Sequence, residues 1–284
     1  MQEHLDISYA PSNPPSRFHQ FDLYVPSHES PDPGTRPPLI CFVHGGAWRS
    51  EDKADHAALA RRLAAHTRFP VAVPNYRLTT SDSPTQHPAH AEDALAFLEF
   101  LLTWEGPDGQ RPYDARRLYP LGHSCSAHML NSILLAPATD DASFPSLTPS
   151  PALLSATQAV VMSEGIYDLD LLLHSFPGYK AWFIANSFGE RESYPQFDTT
   201  AYTLRTGSDH IRWLIIHSDG DTLVDRVQSE RMYARLTELS SGREGAVQRN
   251  LDELKEQHND LLKGEVYPRI VAGFLLDDIR SRQF

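Results

Sequence analysis

The amino-acid sequence predicts an α/β fold with a mostly parallel central sheet flanked by helices, and three observations predict it. Short apolar runs of strand length alternate with stretches whose apolar residues recur at helical spacing, the rhythm of strand–helix–strand units. The runs at 38–44, 159–163 and 211–217 are apolar almost without interruption, as in strands covered on both faces. Gly, Ser and Asp crowd the residues just after those runs, at the sheet edge where sites in such folds gather.

A chain of 284 residues with 40% hydrophobic residues can bury one large core, and no linker or internal repeat divides it, so a single domain over 1–284 is expected. The formal net charge of -12 leaves nothing to neutralise phosphates in bulk, which argues against a nucleic-acid partner. The N-terminus lacks a basic segment followed by an apolar one, and no apolar run reaches bilayer length. A soluble, cytoplasmic protein with no membrane partner is expected. Cys41 lies in an apolar run and Cys125 beside a Gly-x-Ser turn, so both read as free thiols in a reducing compartment.

Residues 1–16 are polar and Pro-bearing and read as a loosely held arm. The alternation over 18–26 predicts a half-buried antiparallel strand, and 28–37, dense in Pro, Ser, Asp and Gly, a surface loop. Strands are expected at 38–44, 70–74, 118–121, 159–163 and 211–217, with helices over 53–66, from His90 onward, over 126–135 and over 227–239, and a closing helix over 266–279. Residues 136–155 form a long unpatterned excursion. The aromatic-rich stretch within 165–205 is expected as a helical cap insertion over a site, with core helix as its bland reading. Residues 246–254 are charged and poorly patterned, although a last strand is expected before His258.

The stretch from Arg117 to Leu130 reads as a strand, a sharp elbow carrying Ser124, and a helix. Small residues are needed two before and two after the serine because neighbouring backbone passes close. Gly122 supplies the first, but Ser126 stands where glycine is usual. Gly45 and Gly46, after the 38–44 strand, can bring backbone N–H groups to a developing oxyanion; an ordinary turn is the plainer reading. His44 is expected to brace that loop. A serine hydroxyl needs a base, and the base a carboxylate behind it. Asp221 follows a core strand and His258 precedes the closing helix, which gives the order serine, acid, histidine. Asp219 and Asp225 flank Asp221 and read as turn or cap residues, and Asp168, also just past a core strand, is a rival acid. No His-x-x-x-His or Cys-x-x-Cys spacing suggests a metal.

Several segments together carry a specific resemblance. They are His44-Gly45-Gly46-Ala47-Trp48, Asn75-Tyr76-Arg77-Leu78, His87-Pro88-Ala89-His90 with Asp93, Gly122-His123-Ser124-Cys125-Ser126-Ala127, Glu164-Gly165-Ile166-Tyr167-Asp168-Leu169 and His258-Asn259-Asp260. In order and spacing they resemble the fungal kynurenine formamidases, α/β hydrolases near the hormone-sensitive-lipase-like esterases, from about Phe18 to the last helix. The esterases typically show His-Gly-Gly-Gly, whereas Ala47-Trp48 is similar to the formamidase branch. The resemblance implies an α/β-hydrolase fold, Ser124 as nucleophile, Asp221 as acid, His258 as base, and an oxyanion hole from the N–H groups of Gly45, Gly46 and Cys125. It implies N-formyl-L-kynurenine as substrate and neither cofactor nor metal. Trp48 and Trp182 are candidate walls for the aromatic ring, with a core role as the alternative for Trp48. A short-acyl carboxylesterase and a non-catalytic binding module on the same fold are the rival readings, and the oligomeric state is left open, a homodimer included.

Overall fold

A computed structural model describes residues 1–11, 16–27, 35–138 and 147–282. Eight strands form the main sheet: β1 (Gln2–Ser8), β2 (Gln20–Val25), β3 (Leu39–Val43), β4 (Val71–Pro74), β5 (Leu118–His123), β7 (Ala159–Ser163), β9 (Arg212–Ile216) and β10 (Val247–Asn250). Their spatial order is β1-β2-β4-β3-β5-β7-β9-β10. Pairing is antiparallel for β1–β2 and β2–β4 and parallel from β4 onward. A short pair, β6 (Leu135–Ala136) with β8 (Thr203–Leu204), stands apart.

The period of two along each central strand divides the core into two layers. Leu39, Cys41 and Val43 of β3 and Val160 and Met162 of β7 face one side, where α2 (Ala89–Thr103), α3 (Cys125–Leu134) and α7 (Arg226–Leu239) contribute the partners. Ile40, Phe42, Ala159 and Val161 face the other, against α1 (Ala57–Thr67) and α8 (Val266–Ser281). With both faces covered, the strands carry no polar alternation, which is why they read as continuous apolar runs. Tyr119 enters this core with its hydroxyl partnered, donating to Asp278 at 2.8 Å.

Of the two edge strands, β1 departs from expectation and β10 is the expected last strand before His258. The segment expected as a loose arm contains β1, which covers the outer edge of β2 in antiparallel register from Gln2 opposite Val25. Its sequence hides this because most of its residues are exposed and polar side chains predominate, as edge strands often show. At the opposite edge, β10 occupies the poorly patterned stretch, paired in parallel with β9 alone and only partly buried, so Gln248 and Arg249 are tolerated in it. Within the 136–155 excursion, α4 spans Pro151–Ala156, capped by the Ser150 hydroxyl. Parts of that excursion and of the 28–37 loop lie outside the described residues. The segment between β7 and β9 holds α5 (Leu169–Ser175), a π-helical turn at Lys180–Ile184 and α6 (Ala185–Phe188).

Candidate active site

The carboxyl ends of β3, β5, β7 and β9 converge, and each delivers one part of the site. After β5 the chain turns into α3 within one residue, and Ser124 takes φ 58 and ψ −123 to allow it. An L-residue in that region is strained, so the surroundings must fix it. They do: Ser124 N–H donates to Ser163 O at 2.9 Å and Ser124 O accepts Ile166 N–H at 3.2 Å. Both partners lie on or just after β7, so the neighbouring strand holds the elbow.

Ser126 fits where glycine is usual because its hydroxyl is bonded within the turn. Its Oγ accepts His123 N–H at 2.7 Å and lies 2.7 Å from Val43 O, to which it donates. The side chain is fully buried and ties the elbow to the end of β3.

The loop after β3 runs beside the elbow. A Cβ on Gly45 would stand 3.1 Å from the Ser124 Cβ and 3.0 Å from His123 Nδ1, so any side chain here would press the loop against the elbow. Tyr76 Oη donates to Gly45 O at 2.7 Å, and His44 Nδ1 meets the same oxygen at 3.0 Å. In a trans peptide the N–H points opposite to the C=O, so anchoring Gly45 O turns Gly46 N–H away from Tyr76. His44 is buried and stacked on Tyr76 with ring centres 4.4 Å apart. Burial pulls its pKa down to about 4, so it is a neutral brace, as expected. Ala47 and Trp48 follow with φ of 53 and 58.

That double left-handed turn returns Trp48 to the core, where it is fully buried against Phe188, Phe183 and His128. Trp48 therefore does not form a wall of the cavity at Ser124. The Trp48 backbone N–H donates to Cys125 Sγ at 3.3 Å, and burial pushes the Cys125 thiol up to about 12, so this cysteine is a neutral acceptor that secures the loop. Cys41 is likewise a free, buried thiol.

The acid and the histidine meet. His258 Nδ1 lies 2.7 Å from Asp221 Oδ2, while Asp221 Oδ1 accepts Leu223 N–H at 2.8 Å and Val224 N–H at 3.1 Å. Burial alone would raise the Asp221 pKa, but the groups that favour its charge, the His258 imidazole first, hold it well below the usual carboxylate range. The His258 segment is brought in by close backbone contact: a Cβ on Gly220 would stand 2.1 Å from Lys255 O. Ser218 Oγ donates to Glu256 O at 2.6 Å, and His123 Nε2 meets His258 O at 2.9 Å. Burial lowers the His123 pKa to about 3, so His123 is neutral and donates through Nε2.

Asp168, the rival acid, instead caps α5 by accepting Leu171 N–H at 3.1 Å and pairs with Arg231 at 2.5 Å. Asp219 pairs with Arg226 at 2.8 Å, and Asp225 accepts from the Ser175 hydroxyl. Two carboxylate–histidine clusters, His44–Glu51–His56 and Glu164–His217–Asp221, are also present. In the first, His56 Nε2 lies 2.9 Å from Glu51 Oε2; in the second, His217 Nδ1 lies 3.6 Å from Glu164 and 3.0 Å from Ser229 Oγ.

Ser124 and His258 open into one cavity of about 350 Å³. Gly46 and Ala47 form one wall of it, while Gly45 lies behind them. The opposite side is apolar, with Ile166, Leu223 and Val224 and, from the segment between β7 and β9, Tyr179, Trp182 and Phe183. Trp182 is half exposed there, and Arg49 donates to its carbonyl at 2.6 Å. A larger cleft of about 1090 Å³ opens at the amino ends of β3 and β5, beside Arg111 and Arg117, remote from Ser124.

Residues 21–236 match the family described as BD-FAE. The chain belongs to the BD-FAE family. Fungal kynurenine formamidases are among the relatives of this BD-FAE member. It is 30% identical to the kynurenine formamidase of Eremothecium gossypii over 208 residues, 71% of this chain and 80% of that one. It is 27% identical to a kynurenine formamidase-like hydrolase of Fusarium equiseti over 280 residues, 88% of this chain and 87% of that one. Among solved structures it is similar to an inhibited esterase B of Lactobacillus rhamnosis, with a TM-score of 0.72, 16% identity, and coverage of 99% of this chain and 85% of that one. The fold is that of an α/β hydrolase, and the chain is a hydrolase by its relatives. A hydroxyl at a strained elbow, an imidazole backed by a buried carboxylate, and a glycine-lined wall are the parts that acyl transfer through serine requires.

Arg49, Tyr76, Tyr179, Asn259 and the His123 brace join the site only through the fold. Tyr76, in Asn75-Tyr76-Arg77-Leu78 two residues after a core strand, is the one with a local signal in the sequence.

Proposed function

We propose that this chain is a serine hydrolase that cleaves the formyl amide of N-formyl-L-kynurenine, with Ser124, Asp221 and His258 as its triad. The observation that carries the reading is the 2.7 Å contact of Asp221 with His258, whose ring shares a cavity with Ser124. Asp221 fixes the tautomer in which Nδ1 carries hydrogen, leaving Nε2 free to take the Ser124 proton. Ser124 Oγ bonds to the formyl carbon, and the oxyanion is received by the N–H groups of Gly46 and Cys125. His258 then gives its proton to the aryl nitrogen as the C–N bond breaks, and kynurenine leaves. Water, deprotonated by His258, releases formate and restores the serine.

A formyl group needs almost no acyl space, which agrees with a wall of Gly46 and Ala47 backed by the buried Trp48. The aromatic ring finds Trp182 and Tyr179 of a cap formed by the segment between β7 and β9. Arg49 at the cavity is the cation available to the substrate carboxylate, and Glu51 supplies an acidic group for its ammonium. Hydrolysis of N-formyl-L-kynurenine, measured beside p-nitrophenyl acetate with Ser124→Ala as control, tests the assignment. A kcat/KM favouring the ester would replace it with the short-acyl esterase reading, which the esterase-like fold supports.

A further inference from the structure

The first residue after β7 is Glu164, and nothing in the reaction just described uses it. Its backbone has φ 52 and its N–H donates to Ile216 O at 3.1 Å, which pins the turn to β9. Its side chain is completely buried. Oε1 accepts Ser218 N–H at 2.7 Å, but Oε2, equally buried, has no donor among the described residues. His217 Nδ1 stands off at 3.6 Å and is 3.0 Å from Ser229 Oγ instead. Glu164, His217 and Asp221 each bring a side-chain nitrogen or oxygen within 4.8 Å of the other two.

The titratable groups that face Glu164 are Asp221, His217 and the buried phenols Tyr167 and Tyr267. None supplies a positive charge, since burial holds His217 to its neutral form. Two ionised carboxylates side by side in this setting would repel one another without water or a cation to offset it. One proton removes the conflict. Asp221 already has His258 and two backbone N–H groups that favour its charge, whereas Glu164 has one N–H, so the proton resides on Glu164. There it converts the partnerless Oε2 into a donor, and Asp221 is the acceptor beside it.

We infer that Glu164 is kept as the neutral acid and donates a hydrogen bond from its carboxyl to Asp221, as the positioning residue of the triad acid. The inference rests on the triad proposed above. It gives Asp221 four hydrogen bonds, from Leu223, Val224, His258 and Glu164, so that the carboxylate cannot rotate away from the imidazole. It also leaves a single negative charge beneath His258. A second would strengthen the imidazolium and hinder its return of the proton to the leaving group.

The test compares Glu164→Gln and Glu164→Leu with the full-length parent, using p-nitrophenyl acetate so that the outcome does not depend on the natural substrate. Glutamine is neutral and keeps an N–H donor, so kcat should stay within about threefold and the acid limb of the kcat/KM profile should not move. Leucine keeps the neutrality and loses the donor, so kcat should fall about tenfold or more at little change in KM, the size of one hydrogen bond to a charged group. A downward shift of the acid limb in Glu164→Gln would mean that a charge had been removed, and would overturn the proposal. So would a Glu164→Leu variant with parental kcat. If Glu164→Leu does not fold, infrared difference spectroscopy decides. The parent at mildly alkaline pH should show the carbonyl stretch of a protonated buried carboxyl, absent in Glu164→Gln, and lack of that band refutes the neutral acid. Full turnover by Asp221→Asn would instead sink the triad while leaving the infrared result standing.

Discussion

Asp221 is held at both oxygens: Oδ2 lies 2.7 Å from His258 Nδ1, and Oδ1 takes the N–H groups of Leu223 and Val224. The carboxylate is therefore a fixed acceptor behind the imidazole. Asp221→Asn should lower kcat by about three to four orders of magnitude, because the amide would favour the wrong tautomer of His258. Asp168→Ala should leave kcat nearly unchanged and cost about 1 kcal/mol of stability through the lost cap on α5. Steady-state kinetics and urea titration of the two variants check the contrast. Reversal of their effects would move the acid to the other strand.

The two tryptophans should separate cleanly. Trp48→Ala removes a fully buried ring packed on Phe188 and should destabilise the fold by about 3–5 kcal/mol. Trp182→Ala removes a half-exposed ring on the cavity wall and should raise KM for an aromatic formamide about tenfold with Tm little changed. Thermal melts and KM values measured on the same preparations are sufficient.

Arg49 gives a charge test of the substrate. Arg49→Gln should raise KM for N-formyl-L-kynurenine about tenfold or more while leaving neutral formanilide unaffected, and Arg49→Lys should recover part of the difference. An equal effect on both substrates would mean that Arg49 acts only through its bond to the Trp182 carbonyl.

The Glu164–Asp221 pair ties stability to pH. Burial first, then the hydrogen bond and charge of Asp221, raise the Glu164 pKa from 4.5 to about 11. The folded protein therefore keeps a proton that the unfolded chain releases above 4.5, and this contribution is lost as pH rises, at up to about 1.4 kcal/mol per pH unit. Asp221, whose pKa is depressed, works in the opposite sense, stabilising above its ordinary value and losing that effect on acidification. Between about pH 6 and pH 9 the Tm of the parent should fall relative to Glu164→Gln. Parallel curves would show that no such proton is bound.

The central strands and the three triad candidates were legible because each follows from a local rule: an apolar run, a small residue at a turn, a chain order. What the sequence hid depends on neighbours distant along the chain. Strand β10 has one partner strand and is only partly buried, so Val247–Asn250 shows no apolar pattern. Strand β1 is disguised by Glu3, His4 and Asp6, polar side chains that suit an uncovered edge. Trp48 follows a glycine loop that could face either way, and only the left-handed turn at Ala47 and Trp48 sends its ring inward. The glycine loop is set for a related reason, since it is Tyr76 that anchors Gly45 O and leaves Gly46 and Ala47 at the cavity. The order of serine, acid and histidine could not separate Asp168 from Asp221; Arg231 and the α5 cap do so.

The Ser126 hydroxyl spans two strand ends, accepting from His123 and donating to Val43. Ser126→Gly, the more common residue, should therefore weaken this elbow rather than relax it. The rule at this position is thus wider than the absence of a side chain. Any short group that hydrogen-bonds inside its own turn meets it, and a search pattern that insists on glycine would pass over hydrolases built like this one.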